Sequence, residues 1–237
     1  MKLFAGSQSK HLAESISKEL NIPLAPYELV TFRDSELKPV IKEEVRDENC
    51  VVIASTSNPV NDSYMEFFLL VDALKRGAAK RIVAVMPYFG YARQNQQHMP
   101  GEPVSARVMV KFIQSVGVDE MITVDLHEEQ LTGFFDIPIS HLSALSLLAE
   151  SVGNEIVTRH LHESGNPVVV LSPDQGGIER TRKFRDALAE HFSRHSRESG
   201  NPADPRSESG MTIEVDHEIG IVEKLRNLEG QHETKFV

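Results

Sequence analysis

The chain has 237 residues, 40% of them hydrophobic and 25% charged, which suits one large domain or two small ones around a real core. No apolar run approaches the ~20 residues a bilayer-spanning helix needs, and the N-terminus MKLFAGSQSK lacks a signal-peptide core, so a cytoplasmic protein with no membrane partner is expected. The formal net charge of −10 argues against general binding to nucleic-acid backbones, and the single cysteine, Cys50, has no partner for an intrachain disulfide.

In chain order, short apolar runs at Lys2–Ala5, Tyr27–Phe32, Leu37–Ile41, Cys50–Ala54, Arg81–Pro87, Glu120–Asp125 and Val168–Ser172 read as strands. Amphipathic stretches at Ser9–Leu20, Asn61–Arg76, Ser105–Val116, Ala144–Leu161 and Gly177–Phe192 read as helices. This alternation implies βαβ units and an α/β fold with a mainly parallel sheet. In the helix over 61–76, Met65, Leu69 and Ala73, joined by Phe68, form the expected apolar stripe; Asn61 or Asp62 would cap its start and Gly77 its end. Ser193–Gly210 is polar and aperiodic and reads as a loop or disordered insert. The pentapeptide ESGNP occurs at Glu163–Pro167 and Glu198–Pro202, too short to be a solenoid repeat. Ordered patterning resumes at Met211–Val215 and Gly220–Leu228.

Four clusters could carry chemistry. Phe32-Arg33-Asp34-Ser35-Glu36 follows a strand, and its two carboxylates share a face if the chain stays extended. They could accept hydrogen bonds from an exocyclic amine, although the spacing alone favours a charged turn. Pro87-Tyr88-Phe89-Gly90-Tyr91-Ala92-Arg93-Gln94 ends a strand with three rings and an arginine suited to phosphate or base stacking; the same residues could plug the core and leave Arg93 solvated. In Thr123–Pro138, TVDLHEEQLTGFFDIP, Asp125 and His127 leave a strand at the sheet edge where ligands bind in open α/β folds. Asp174, in Ser172-Pro173-Asp174-Gln175-Gly176-Gly177, ends another strand, with glycines that let backbone N–H groups approach an anion. Neutral imidazole is an unusual ligand for magnesium, so His127 would meet such an ion through water or phosphate. Finally, Lys224 and Arg226 place two cations on one face of an extended segment, where they could stabilise a phosphoryl centre or simply be solvated.

Together KLFAGS, FRDSE, STSNPVND, DALKRGAAKRI, PYFGYARQ, GEPVSAR, TVDLHEEQLTGFFDIP, SPDQGG and IVEKLR resemble the ribose-phosphate pyrophosphokinases, over residues 1 to about 192 and again from about 219. GEPVSAR looks more like the archaeal-type branch. The resemblance implies two type I phosphoribosyltransferase-like domains: an ATP-side domain over 1–145, and a partial ribose-5-phosphate-side domain over 146–237 that contains the insert 193–210. It implies attack of the anomeric hydroxyl of ribose 5-phosphate on the β-phosphorus of Mg-ATP. Residue by residue, Asp34 and Glu36 would read adenine with Phe32 packing nearby, Arg93, Gln94 and His127 would contact ATP, and His127 and Asp174 would serve magnesium. Lys224 and Arg226 match the family's mobile-loop cations. Rings of dimers, often hexamers, are implied.

The sequence departs from the family in three places. Asn95-Gln96-Gln97-His98 lacks the family's fixed charges, the insert precedes the Lys224 segment, and the acidic, Thr/Gly-rich ribose-phosphate loop expected beyond Val237 is missing. A chain of this form could instead be a non-catalytic subunit joined to a full-length paralogue in a hetero-oligomer, or a broken-gene fragment.

Overall fold

The computed structural model describes residues 1–160, 168–199, 220–226 and 232–236, with side chains over 1–156 and 168–194. The expected ordered patterning at Met211–Val215 and the insert from residue 200 lie outside the described residues. The chain divides into two compact units, Met1–Ser143 and Ala144–Val237.

Unit 1 runs β1 (Lys2–Ala5), α1 (Lys10–Leu20), β2 (Tyr27–Thr31), β3 (Leu37–Ile41), β4 (Asn49–Ile53), α2 (Val60–Arg76), β5 (Arg81–Met86), α3 (Ser105–Val116), β6 (Glu120–Val124) and β7 (Ile139–Leu142). Strands β1-β4-β5-β6-β7 form one sheet in that order with every pairing parallel. All the βα connections therefore leave from one carboxyl edge. β2 and β3 form a separate antiparallel hairpin, Tyr27 opposite Ile41 and Thr31 opposite Leu37. Strand β7 escapes a sequence reading because ISHL is four residues with no clean alternation, its burial being only partial.

In β5 the residues Ile82, Ala84 and Met86 are fully buried while Val83 and Val85 are half-covered, the period of two that a pleated strand imposes. Phe4, Val52, Phe67, Leu70, Leu74, Ile113 and Met121 complete this core. Each large apolar side chain removed from water there contributes roughly 1.5–3 kcal/mol. The stripe expected on α2 is wrong. The buried face is Ser63, Phe67, Leu70 and Leu74, flanked by Tyr64, Glu66 and Val71, whereas Met65 is 51% exposed and Phe68, Leu69 and Ala73 are only half-buried. VNDSYMEFFLLVDALKR is apolar around most of its girth, so periodicity could not choose a face. Neither Asn61 nor Asp62 caps α2, because Pro59 holds the N-cap position; Gly77 ends the helix as expected.

Unit 2 holds α4 (Leu145–His160), β8 (Leu171–Ser172), α5 (Ile178–Ser199), β9 (Gly220–Arg226) and β10 (His232–Phe236). Its strands lie in the order β10-β9-β8, with β8 and β9 parallel and β9 and β10 antiparallel. Helices α4 and α5 pack around Ala149, Leu188 and Phe192, and Gly153 sits so close to His191 that a Cβ would lie 2.3 Å from its ring. Two expectations fail here. Strand β8 is two residues long, with Val168 making only a bridge, and Ser193–Ser199 continues α5 instead of starting a loop. No Pro or Gly interrupts the chain before Gly200, and an i,i+4 pair between Glu190 and Arg194 supports the added turn.

Candidate functional site

The carboxyl edge of the unit 1 sheet gathers the loops after β1, β4, β5, β6 and β7. Two of the four sequence clusters, PYFGYARQ after β5 and DLHEEQ after β6, leave adjacent strands there. They touch directly, the ring of Phe89 packing edge-on against Phe135 at 6.1 Å.

The loop after β5 is held from below by the loop after β4. Thr56, fully buried, donates to the Tyr88 carbonyl at 2.9 Å and accepts from the Gly90 N–H at 2.8 Å. The Ser55 hydroxyl accepts from the Tyr88 N–H. Tyr64 of α2 donates to the Gly90 carbonyl at 2.8 Å, and burial pushes its hydroxyl far above the usual tyrosine value. A Cβ on Gly90 would lie 2.8 Å from Val60, 3.0 Å from the Thr56 carbonyl and 3.1 Å from Tyr64, so only glycine lets the loop close down here. The core-plug reading of this cluster holds in part. Phe89 is 5% exposed and plugs the core, while Tyr88 and Arg93 face solvent. Gln94 begins the run into α3, its amide oxygen accepting from Ser105 at 2.6 Å and its carbonyl from the Ala106 N–H.

After β6 the chain turns sharply. Asp125 adopts φ +43°, a left-handed conformation that costs a non-glycine residue energy and must be held by its surroundings. Its N–H donates to the Leu142 carbonyl, and its Oδ1 accepts from the Ser143 hydroxyl at 2.9 Å. The next N–H, of Leu126, donates to His141 Nε2 at 3.0 Å, which places the proton of that imidazole on Nδ1. His127 then lies exposed at the head of the turn. Thr56, His141 and Ser143 are the residues that set this geometry, and the sequence reading named none of them. Ser55-Thr56 and Ser140-His141-Leu142-Ser143 offer no spacing signal, since their partners lie 15 to 34 residues away.

Phe32-Arg33-Asp34-Ser35-Glu36 forms the tip of the β2–β3 hairpin, the charged turn that the spacing favoured. Ser35 sits at φ +72°, the Phe32 N–H donates to the Glu36 carbonyl at 2.8 Å, and Asp34 Oδ1 folds back to accept from the Glu36 N–H at 3.2 Å. The ring of Phe32 is 44% exposed, with the Lys38 ammonium 5.4 Å above it.

In unit 2, Asp174 caps the turn that opens α5. Its Oδ1 accepts from the Gly177 N–H at 2.9 Å, and the Ser172 hydroxyl donates to its carbonyl at 2.7 Å. The glycine amide expected to face an anion is therefore engaged internally. Lys224 and Arg226 fall in β9, where Thr234 and His232 of β10 stand opposite them; their side chains lie outside the described residues. Among the described residues no group of three or more His, Cys, Asp or Glu could hold a metal ion, and no helix is long and apolar enough to cross a membrane.

A family model for the N-terminal domain of ribose phosphate pyrophosphokinase matches residues 1–117. The ribose-phosphate pyrophosphokinase of Agrobacterium fabrum is 45% identical over 188 residues, 79% of this chain and 58% of that protein. Over most of its length this chain belongs to the ribose-phosphate pyrophosphokinase family. The Listeria ivanovii member is 44% identical over the same share of the chain and 57% of its own. A crystal structure of phosphoribosylpyrophosphate synthetase from Mycobacterium smegmatis superposes with a TM-score of 0.76 at 30% identity, covering 100% of this chain and 66% of that one. The chain thus spans little more than half the length of the curated family members it matches. The α/β architecture with a mainly parallel sheet is shared with the Mycobacterium smegmatis structure.

Proposed function

We propose that unit 1 is the nucleotide half of a pyrophosphokinase, and that the chain takes part in transferring the pyrophosphoryl group of Mg-ATP to the anomeric hydroxyl of ribose 5-phosphate, giving phosphoribosyl pyrophosphate and AMP. One observation supports this most: the loops bearing Arg93 and His127 leave neighbouring parallel strands at one sheet edge and are locked together by Phe89 and Phe135. Arg93 supplies a fixed charge for phosphate, and His127 a donor beside it. Gln94 contributes to ATP through its free amide hydrogens, since its oxygen is engaged by Ser105. Phe32, Asp34 and Glu36 form the adenine-reading tip, where Asp34 Oδ1 is already satisfied and Glu36 remains to accept from the exocyclic amine.

Magnesium fits as an ion carried on the triphosphate. His127 and Asp174 supply too few oxygens for a protein cage, and water and phosphate oxygens fill the shell of such an ion. Its chemistry would be to neutralise charge on the transferring group. Lys224 and Arg226 would add cationic stabilisation there, each worth on the order of 100- to 1,000-fold in rate. Unit 2 would hold the ribose 5-phosphate side, and a homo-oligomer built from dimers is the cytoplasmic assembly this reading entails.

AMP release from ATP, magnesium and ribose 5-phosphate tests the proposal. AMP should appear only with the sugar phosphate present; none from folded protein would end it for this chain acting alone. A second reading is a nucleotide-binding subunit that works with a full-length paralogue. Co-purification with such a paralogue, and AMP release only from the mixture, would mark that case.

A further inference from the structure

Glu66 belongs to none of the clusters above, yet it is a carboxylate only 5% exposed in the middle of α2. Burying an ionised carboxylate is costly unless hydrogen bonds replace its water. Here a single oxygen, Oε1, takes donors from two other elements. The backbone N–H and hydroxyl of Ser7 reach it at 3.1 and 2.8 Å, and the hydroxyl of Tyr27 at 2.5 Å. The Tyr27 oxygen also lies 3.0 Å from the Ala5 carbonyl, and its one proton goes to the nearer, charged acceptor. Burial and this bond together raise the Tyr27 pKa well above its ordinary value, which keeps the proton in place.

The partners matter because of where they stand. Ser7 opens the turn at the carboxyl end of β1, and Tyr27 is the first residue of β2, at the base of the hairpin. The base is also tied by the Ala25 N–H, which donates to the Leu3 carbonyl at 2.7 Å, and by Tyr27 and Ile41, which pack against the core. The Phe32–Glu36 tip stands roughly 17 Å further along, at ~3.4 Å per strand residue. A small tilt at the base is therefore a larger displacement at the tip.

We propose that Glu66 is a positioning residue for the nucleotide half-site: through Tyr27 and Ser7 it fixes the angle at which the β2–β3 hairpin leaves the sheet edge, and with it the place of Asp34 and Glu36. The proposal rests on the functional reading only in taking the hairpin tip as a nucleotide contact.

Hydrogen exchange on the full chain, followed by mass spectrometry, compares wild type with Tyr27→Phe, Glu66→Gln and the double variant. Tyr27→Phe deletes one hydroxyl, whereas Glu66→Gln keeps an acceptor and loses the charge assistance. Peptides across 27–41 should exchange about tenfold faster in either single variant, with little added in the double and with the β4–β5 ladder unchanged. Affinity for a fluorescent ATP analogue with magnesium should weaken about tenfold in the same variants. Equal acceleration in hairpin and sheet, additive effects, or a looser hairpin with unaltered analogue affinity would each overturn the role. If the wild-type chain binds no analogue, the functional reading fails, and the exchange pattern still decides for or against the Glu66 clamp.

Discussion

Asp125 and Asp174 each follow a strand, and the backbone makes them different groups. Asp125 is forced to φ +43° between Leu142 and Ser143, held open at a sheet edge by bonds from a neighbouring strand. Asp174 sits in extended backbone and turns its carboxylate back onto the Gly177 N–H of the turn that leads into α5. The contrast extends to the units that carry them. Unit 1 buries a broad core across its sheet and α2, from Phe4 through Phe67, Leu70 and Leu74 to Met121. In unit 2, Leu147 is 70% exposed, Val169 52% and Leu171 48%, around a core of a few residues on α4 and α5. A parallel sheet needs both faces covered, and in unit 1 the described residues of the sheet and its helices supply that cover.

The largest expected effect follows from separating the units. Residues 1–143 expressed alone should melt cooperatively, whereas 144–237 alone should show no sharp transition and should bind a hydrophobic dye. Circular dichroism against temperature checks both. A cooperative unit 2 would break the comparison outright. Within the intact chain, Phe67→Ala should cost about 3–5 kcal/mol in denaturant unfolding, and Leu147→Ala less than about 0.5 kcal/mol.

The same physics explains what could be read beforehand. The unit 1 strands were legible because β4, β5 and β6 are short runs rich in β-branched residues, set among helices of unmistakable length. The α2 face was not, since Met65 and Phe68 are as apolar as Phe67 and Leu70, and only the placement of the sheet separates them. Candidate site residues with an unusual local pattern, Arg93 after an aromatic triplet and His127 after Asp125, stood out. The residues that hold them did not. Thr56, His141 and Glu66 act across 15 to 59 residues of sequence, and an isolated Thr, His or Glu carries no local mark of a distant partner.

Next in size is the glycine contrast at the sheet edge. Gly90→Ala meets atoms at 2.8 to 3.1 Å and should cost about 1–3 kcal/mol by urea unfolding, with weaker nucleotide-analogue binding. Gly133→Ala, which meets nothing within 4 Å, should leave both unchanged. The aspartate pair then separates by mechanism. Asp174→Ala removes an N-cap and should lose about 0.5–2 kcal/mol. Ser143→Ala should lose about 1 kcal/mol and, unlike the cap variant, should alter analogue binding if the Asp125 turn presents His127. Equal effects on binding would remove the functional distinction between the two aspartates.

The smallest effect at neutral pH is also the most selective. All the tyrosines, at 27, 64, 88 and 91, lie in unit 1. Burial, foremost, raises the folded-state pKa of Tyr27 and Tyr64 above the ordinary value of 10.0. Below that value both states are protonated, and the advantage of the neutral buried rings is fully present. Above it the unfolded chain releases protons that the folded one retains, so stability falls as pH rises from about 10. The loss should appear in the unit 1 transition, read by tyrosine fluorescence because the chain has no tryptophan. Tyr64→Phe should flatten the decline, since it removes the proton whose release favours the unfolded state. An unchanged slope in that variant would assign the alkaline loss to other groups.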